Sequence, residues 1–184
     1  MAALDTRDPR LDLRIRKSGR KNRIHLPLLY CWSCGTWLSY RLNTVGGVDV
    51  LDNENRGSTC FPYEPYPRSF PGRWVRLVPV APEIQRLIRR SNEGKLKDKV
   101  SMPEEGRQYL RPRHQLGGQA FFQQGLCLKD GCVCTLCGRN SPFLASIGNE
   151  TGGGKTFYGA NYLLQTIFHF CAGCQVVCGH HECD

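Results

Sequence analysis

At 184 residues, with 40% hydrophobic and 22% charged content, the chain suits one compact domain or two small ones. Its longest apolar stretch, Tyr162 to Val177, is broken by Gln165, His169 and Gln175, short of the roughly 18 continuous residues a membrane span needs. The formal net charge is +9, and the opening residues, MAALDTRDPRLDLRIRK, lack the apolar core of a signal peptide and carry Asp5, Asp8 and Asp12 where a transit peptide has no acids.

These features place the chain in a reducing compartment, the nucleus and/or cytoplasm, with no membrane and no small-molecule substrate as partner. There, clustered cysteines hold metal more often than they form disulfides, and this chain has 11, an odd count. The positive charge avoids them. Residues 1–30 carry eight Lys/Arg against three acids, and residues 68–114 carry twelve against five, while both cysteine-bearing stretches are close to neutral.

Four segments follow in order. Residues 1–24 form a flexible basic arm, expected to be disordered or to order only on binding. Residues 25–90 form an N-terminal lobe with a Cys31-Trp-Ser-Cys34-Gly35 knuckle and strands at Trp37–Leu42, Val48–Leu51 and Trp74–Val80. A proline-rich surface loop, FPYEPYPRSFPG, interrupts it. A helix over Pro82–Arg90 closes the lobe, with Pro82 in its first turn, Ile84, Leu87 and Ile88 on one face and Arg86, Arg89 and Arg90 elsewhere. Residues 91–118 read as a charged linker. Residues 119–184 form a cysteine-rich zinc-binding domain with eight of the 11 cysteines. The fold class is a small, zinc-stabilised α+β protein of two lobes, built from β-hairpins and zinc knuckles with a few short helices.

The strongest pattern is Cys134-Thr-Leu-Cys137-Gly138 followed, after 33 residues, by Cys171-Ala-Gly-Cys174. Each CxxC turn can point two thiolates at one ion, a following glycine permits a left-handed backbone, and two such turns supply a closed tetrahedral site. Sulfur-only tetrahedral coordination favours zinc, with iron–sulfur as the alternative. Cys127, Cys132, Cys178 and Cys183 flank this first site and suggest a second, with His180 or His181 as alternates. The other reading of the flanking cysteines is buried thiols. A third site would join Cys31 and Cys34 to Cys60 and His25, or to Cys127. His169, within Phe168-His169-Phe170, reads as a hydrogen-bonded core histidine.

Three motifs that resemble catalytic ones fail on detail. Gly152-Gly153-Gly154-Lys155-Thr156 lacks the P-loop's first glycine, because Asn149 stands there, and reads as a hairpin tip. Three CxxC units without a βαβ pattern argue against redox chemistry. His180-His181-Glu182 matches HxE but no PCxxC follows. The chain is therefore not expected to be an enzyme.

Two functions fit these features. In the first, a zinc-binding regulatory protein binds nucleic acid, RNA or single strands ahead of duplex DNA. Its contacts would be Arg14, Arg16, Lys17, Arg20, Lys21 and Arg23 in the arm and Arg86, Arg89 and Arg90 on the helix. Tyr63, Tyr66, Phe70 and Trp74, interleaved with Arg68 and Arg73, would stack bases. In the second, the zinc lobes dock a host or regulatory protein, and the arm serves nuclear targeting. The CxxC–33–CxxC spacing broadly resembles papillomavirus early oncoproteins and some plant-virus silencing suppressors. That resemblance covers four cysteines, carries over no functional residue, and implies a viral accessory protein acting on host regulators.

Overall fold

The computed structural model describes residues 2–5, 8, 25–31, 37–43, 47–53, 77–96, 106, 108–111, 113–122, 132–148 and 164–183, the side chains of Ala2, Leu164 and Cys183 excepted. They form a small α+β fold, mostly antiparallel strands with one helix of regular length among the described residues. The strands are β1 (Ala2–Asp5), β2 (His25–Leu28), β3 (Trp37–Leu42), β4 (Val48–Asn53), β5 (Gln115–Leu116), β6 (Cys132–Val133), β7 (Asn140–Ser141), β8 (Phe143–Gly148), β9 (Leu164–Cys171) and β10 (Val176–Cys183). The helix is α1 (Pro82–Asn92). The largest sheet has the order β4-β3-β10-β9-β8-β5, while β1-β2 and β6-β7 form two-stranded ladders.

The chain divides into two compact units, neither of them one continuous stretch. One comprises residues 1–63, 130–144 and 166–181, the other 64–129, 145–165 and 182–184. In the first unit the start of the basic arm is structured: Ala2–Asp5 pair with β2 in the register Ala2↔Leu28 and Asp5↔His25. Alternation along β2 buries Leu26 and Leu28 and exposes His25, as the two-residue side-chain period of a strand requires. Tyr40 ties β2 to β3. Its phenol donates to the Pro27 carbonyl at 2.6 Å and accepts the Leu29 N–H at 2.9 Å, and burial pushes its ionisation well above the usual range.

The β3–β4 hairpin turns on Asn43. Its side-chain oxygen accepts the Gly47 N–H at 2.8 Å, and its amide donates to Asp49 at 2.9 Å. This is the local side-chain mimicry of backbone that favours asparagine in turns. The other edge of β3 pairs with β10, from Arg41↔Val176 to Trp37↔His180. In β10, Gly179 lies close under Phe168, where a Cβ would stand 3.2 Å from the ring and press on it.

In the second unit α1 runs two residues beyond the expected end. Pro82 occupies the first turn, Glu83 lies in that turn, and Arg89 and Arg90 lie in the last, an order that complements the helix dipole. Ile88 is fully buried. Residues 77–80, expected at the end of a strand, have no regular structure, because Pro79 and Pro82 punctuate the approach to the helix. The supposed linker is partly built. Gln115 and Leu116 pair with Ser146 and Ala145. Side-chain amides then replace ladder bonds over the next turn: Gln85 accepts Gln119 N–H at 2.6 Å, Asn92 donates to Ala120 O at 2.7 Å, and Gln165 donates to Phe121 O at 2.9 Å.

Candidate metal centre

In the first unit β6 delivers Cys134 into a tight turn. Cys134 N–H donates to the Arg139 carbonyl, and Gly138 N–H returns to the Cys134 carbonyl, both at 2.9 Å. Gly138 has φ +67°, the left-handed conformation that a glycine after the second cysteine allows. Facing it, β9 ends on Cys171 and β10 starts at Val176, so Cys171–Cys174 also occupy a tight turn. Gln175 N–H donates to the Cys171 carbonyl at 2.7 Å, and Gln175 has φ +60°. The two turns therefore close in the same way, although only the first has glycine where the backbone turns left-handed.

A non-glycine residue in that region is strained by about 1 kcal/mol. Gln175→Gly should raise stability by up to about that amount, partly offset by loss of the side-chain bond from Gln175 to the Ala172 carbonyl at 2.6 Å. A chemical denaturation midpoint equal to or below that of the parent would count against the strain.

The ligand atoms of Cys134, Cys137, Cys171 and Cys174 all lie within 4.8 Å of one another. Cys137 and Cys171 sulfurs are 3.8 Å apart, far from the about 2.05 Å of a disulfide and close to the roughly 3.8 Å between thiolates that share a tetrahedral zinc at about 2.3 Å. Cys134 and Cys171 are buried, against Cys132, Val176 and Cys178 with Trp37 and Leu51 alongside, while Cys137 and Cys174 are half-buried. Four sulfurs this close cannot all ionise unaided. A hydrogen bond from Arg139 pulls Cys137 down to about 6. Its bond to Cys137 pushes Cys174 up to about 12, and burial raises Cys134. A divalent cation would displace the remaining protons. This set can hold a metal ion, and its four soft donors match a closed, sulfur-only site.

Among the described residues this is the one group of three or more close ligating side chains. Of the proposed second site, Cys132 and Cys178 meet, both fully buried, and a hydrogen bond from Cys132 lowers the Cys178 thiol. Cys127 and the side chain of Cys183 lie outside the described residues. His180 stacks on Trp37 with ring centroids 5.5 Å apart and on His169 at 5.7 Å, and His181 Nδ1 hydrogen-bonds the Tyr30 hydroxyl at 2.6 Å. Of the third site, Cys31 is disulfide-bonded, a state in which sulfur is no thiolate ligand, and His25 is exposed on β2. Cys34 and Cys60 lie outside the described residues.

His169 is the core histidine expected of it. Its Nδ1 donates to the Ser141 carbonyl at 3.1 Å, and burial pushes its pKa down to about 4. Arg139 went unnoticed in the sequence, though a cation directly after a CxxCG turn is a readable signal. Arg86, Arg89 and Arg90 are exposed on α1. The basic cluster at 14–23, the aromatic stretch at 63–74 and the Gly152–Thr156 tip lie outside the described residues.

Fold and site together define a small α+β protein with a tetracysteine cluster able to bind metal. No family model matches the chain, and neither the curated proteins nor the solved structures contain a match to it.

Proposed function

We propose that the four cysteines hold a structural zinc ion in a regulatory protein that binds nucleic acid, RNA or single strands foremost, and is not an enzyme. The observation that carries the metal reading is the convergence of four sulfurs within 4.8 Å from two turns of the same shape. Four protein ligands complete a tetrahedron and leave no position for water or substrate, which is the pattern of a structural rather than a hydrolytic zinc. Elemental analysis should find at least one zinc per folded chain, and a folded, metal-free protein would overturn this reading.

Nucleic-acid binding is supported by Arg86, Arg89 and Arg90, all exposed on α1 with the last two in its final turn, and by the eight Lys/Arg of the first 30 residues. Cations that neutralise phosphates release counterions and bind more weakly as salt rises. Replacing Arg86, Arg89 and Arg90 together by Ala should weaken binding to a labelled single-stranded RNA by roughly tenfold or more at low salt and flatten the salt dependence. Anisotropy titrations at two ionic strengths measure both. No binding by the parent at low salt would remove this function. It would favour the second reading, an adaptor for a host or regulatory protein in the manner of a viral accessory protein. That reading has its own support in Val133 and Leu136, 42% and 49% exposed at the first knuckle.

A further inference from the structure

Arg139 follows directly on the glycine that closes the first knuckle. Its guanidinium reaches the opposite knuckle beside Gly173, with Cys137, Cys171 and Cys174 near enough to attract its charge. The opposite knuckle leaves space for it. A Cβ on Gly173 would stand 3.2 Å from Arg139 Nη2, tighter than ordinary contact. One turn thus supplies a guanidinium, and the other receives it closely at a residue without a side chain. The charge covers the half-buried corner of the cluster, where Cys137 lies, rather than the buried corner at Cys134. A divalent ion held by four thiolates carries a net charge of about −2, and arginine's fixed fork of donors suits it to such an anionic group.

We infer that Arg139 is the counter-charge of the metal centre, seated over Cys137 through the gap at Gly173, and that it sets how tightly the outer corner keeps its ion. The inference rests on reading the cluster as a metal centre. A cation hydrogen-bonded to a ligand sulfur lowers the energy of the loaded, anionic state relative to the metal-free one, and partners of this kind tune metal affinity. Arg139 positions no reacting atom; it acts through Cys137.

The test is zinc competition between the full chain and a chromophoric chelator, on the parent and on Arg139→Gln, Arg139→Lys and Gly173→Ala. Arg139→Gln should bind zinc roughly tenfold more weakly with unchanged stoichiometry, and Arg139→Lys should recover most of the loss. Gly173→Ala asks the flexible end of Arg139 to move by only a few tenths of an ångström, so it should stay closer to the parent than Arg139→Gln does. The gap between parent and Arg139→Gln should narrow in about 1 M salt, where an exposed charge is screened. Parental affinity in Arg139→Gln, a lysine variant as weak as the glutamine one, or a gap indifferent to salt would each overturn the counter-charge. A parent that binds no zinc would overturn the metal reading and this inference together, whereas a zinc-loaded parent with an unaltered Arg139→Gln would overturn this inference alone.

Discussion

Cys134→Ser or Cys171→Ser should abolish metal binding and unfold the unit that carries the cluster. Both residues are buried, so a serine hydroxyl there would replace a ligand with a polar group facing Cys132, Val176 and Cys178. Structural zinc contributes about 10–16 kcal/mol in small zinc-binding peptides, against a total stability of about 5–15 kcal/mol for a typical domain. Loss of one ligand therefore threatens the whole unit. The effect should reach β3, because β10 begins at Val176, just after the second knuckle, and pairs with β3 along Val176–His180. Circular dichroism and zinc content, with and without a strong chelator, measure the outcome. Cys178→Ala serves as the control, since it removes a buried sulfur outside the four-cysteine set and should cost stability while leaving one zinc bound. Native spectra in both serine variants would mean that the metal is not what holds these strands.

Acid should destabilise the same unit steeply, and part of that sensitivity should be traceable to His180. Burial, then His169 and His181, push its pKa from 6.5 down to about 3. The ring is stacked between Trp37 and His169 and buried, so the charged imidazolium would lose its hydration. As pH falls below about 6.5 the unfolded chain takes up a proton that the folded one refuses. Stability is thus lost at about 1.4 kcal/mol per pH unit for this group, until the folded pKa near 3 is reached. At pH 4 the loss is roughly 3 kcal/mol. His180→Phe keeps an aromatic ring between the same neighbours and has no proton to take up. Its stability relative to the parent should therefore improve by that amount between pH 7 and pH 4. Urea denaturation at the two pH values tests this. The subtraction cancels the acid loss of metal from the thiolates, which both proteins share. An unchanged difference would mean that His180 is protonated in the fold.

The helix, the first hairpin and the inner cysteine set were legible because each is a local pattern. Pro82 with Ile84, Leu87 and Ile88 writes α1 within one short stretch, Trp37–Leu42 reads directly as β3, and CxxC at 134 and 171 announces two turns whose sulfurs need one another. The expected end of the strand before α1 failed because prolines outweighed the apolar residues around them. The order at 113–122, the last six residues of the expected linker and the first four of the cysteine-rich segment, was hidden for a different reason. That stretch is held by amide side chains, Gln85, Asn92, Gln115 and Gln165, which look like ordinary polar surface in a sequence. The pairing of β3 with β10 was out of reach of pattern reading, since nothing local to Trp37–Leu42 names a partner in the last tenth of the chain. The left-handed Gln175 was hidden too, because glutamine gives no sign of it, and only its likeness to Gly138 in the opposite turn explains it.

The β3–β10 ladder also orders events on the ribosome. Strands β3 and β4 emerge early and can close their hairpin around Asn43 at once, but the outer edge of β3 must wait for Val176–His180 to be made. Chains with such distant pairings fold slowly, and an unpaired strand edge invites neighbouring nascent chains to add themselves to it. Synthesis at about 5–20 residues per second leaves that edge uncovered for several seconds. Yield of soluble protein should then depend on chaperone supply and expression temperature more than the stability of the finished fold would suggest.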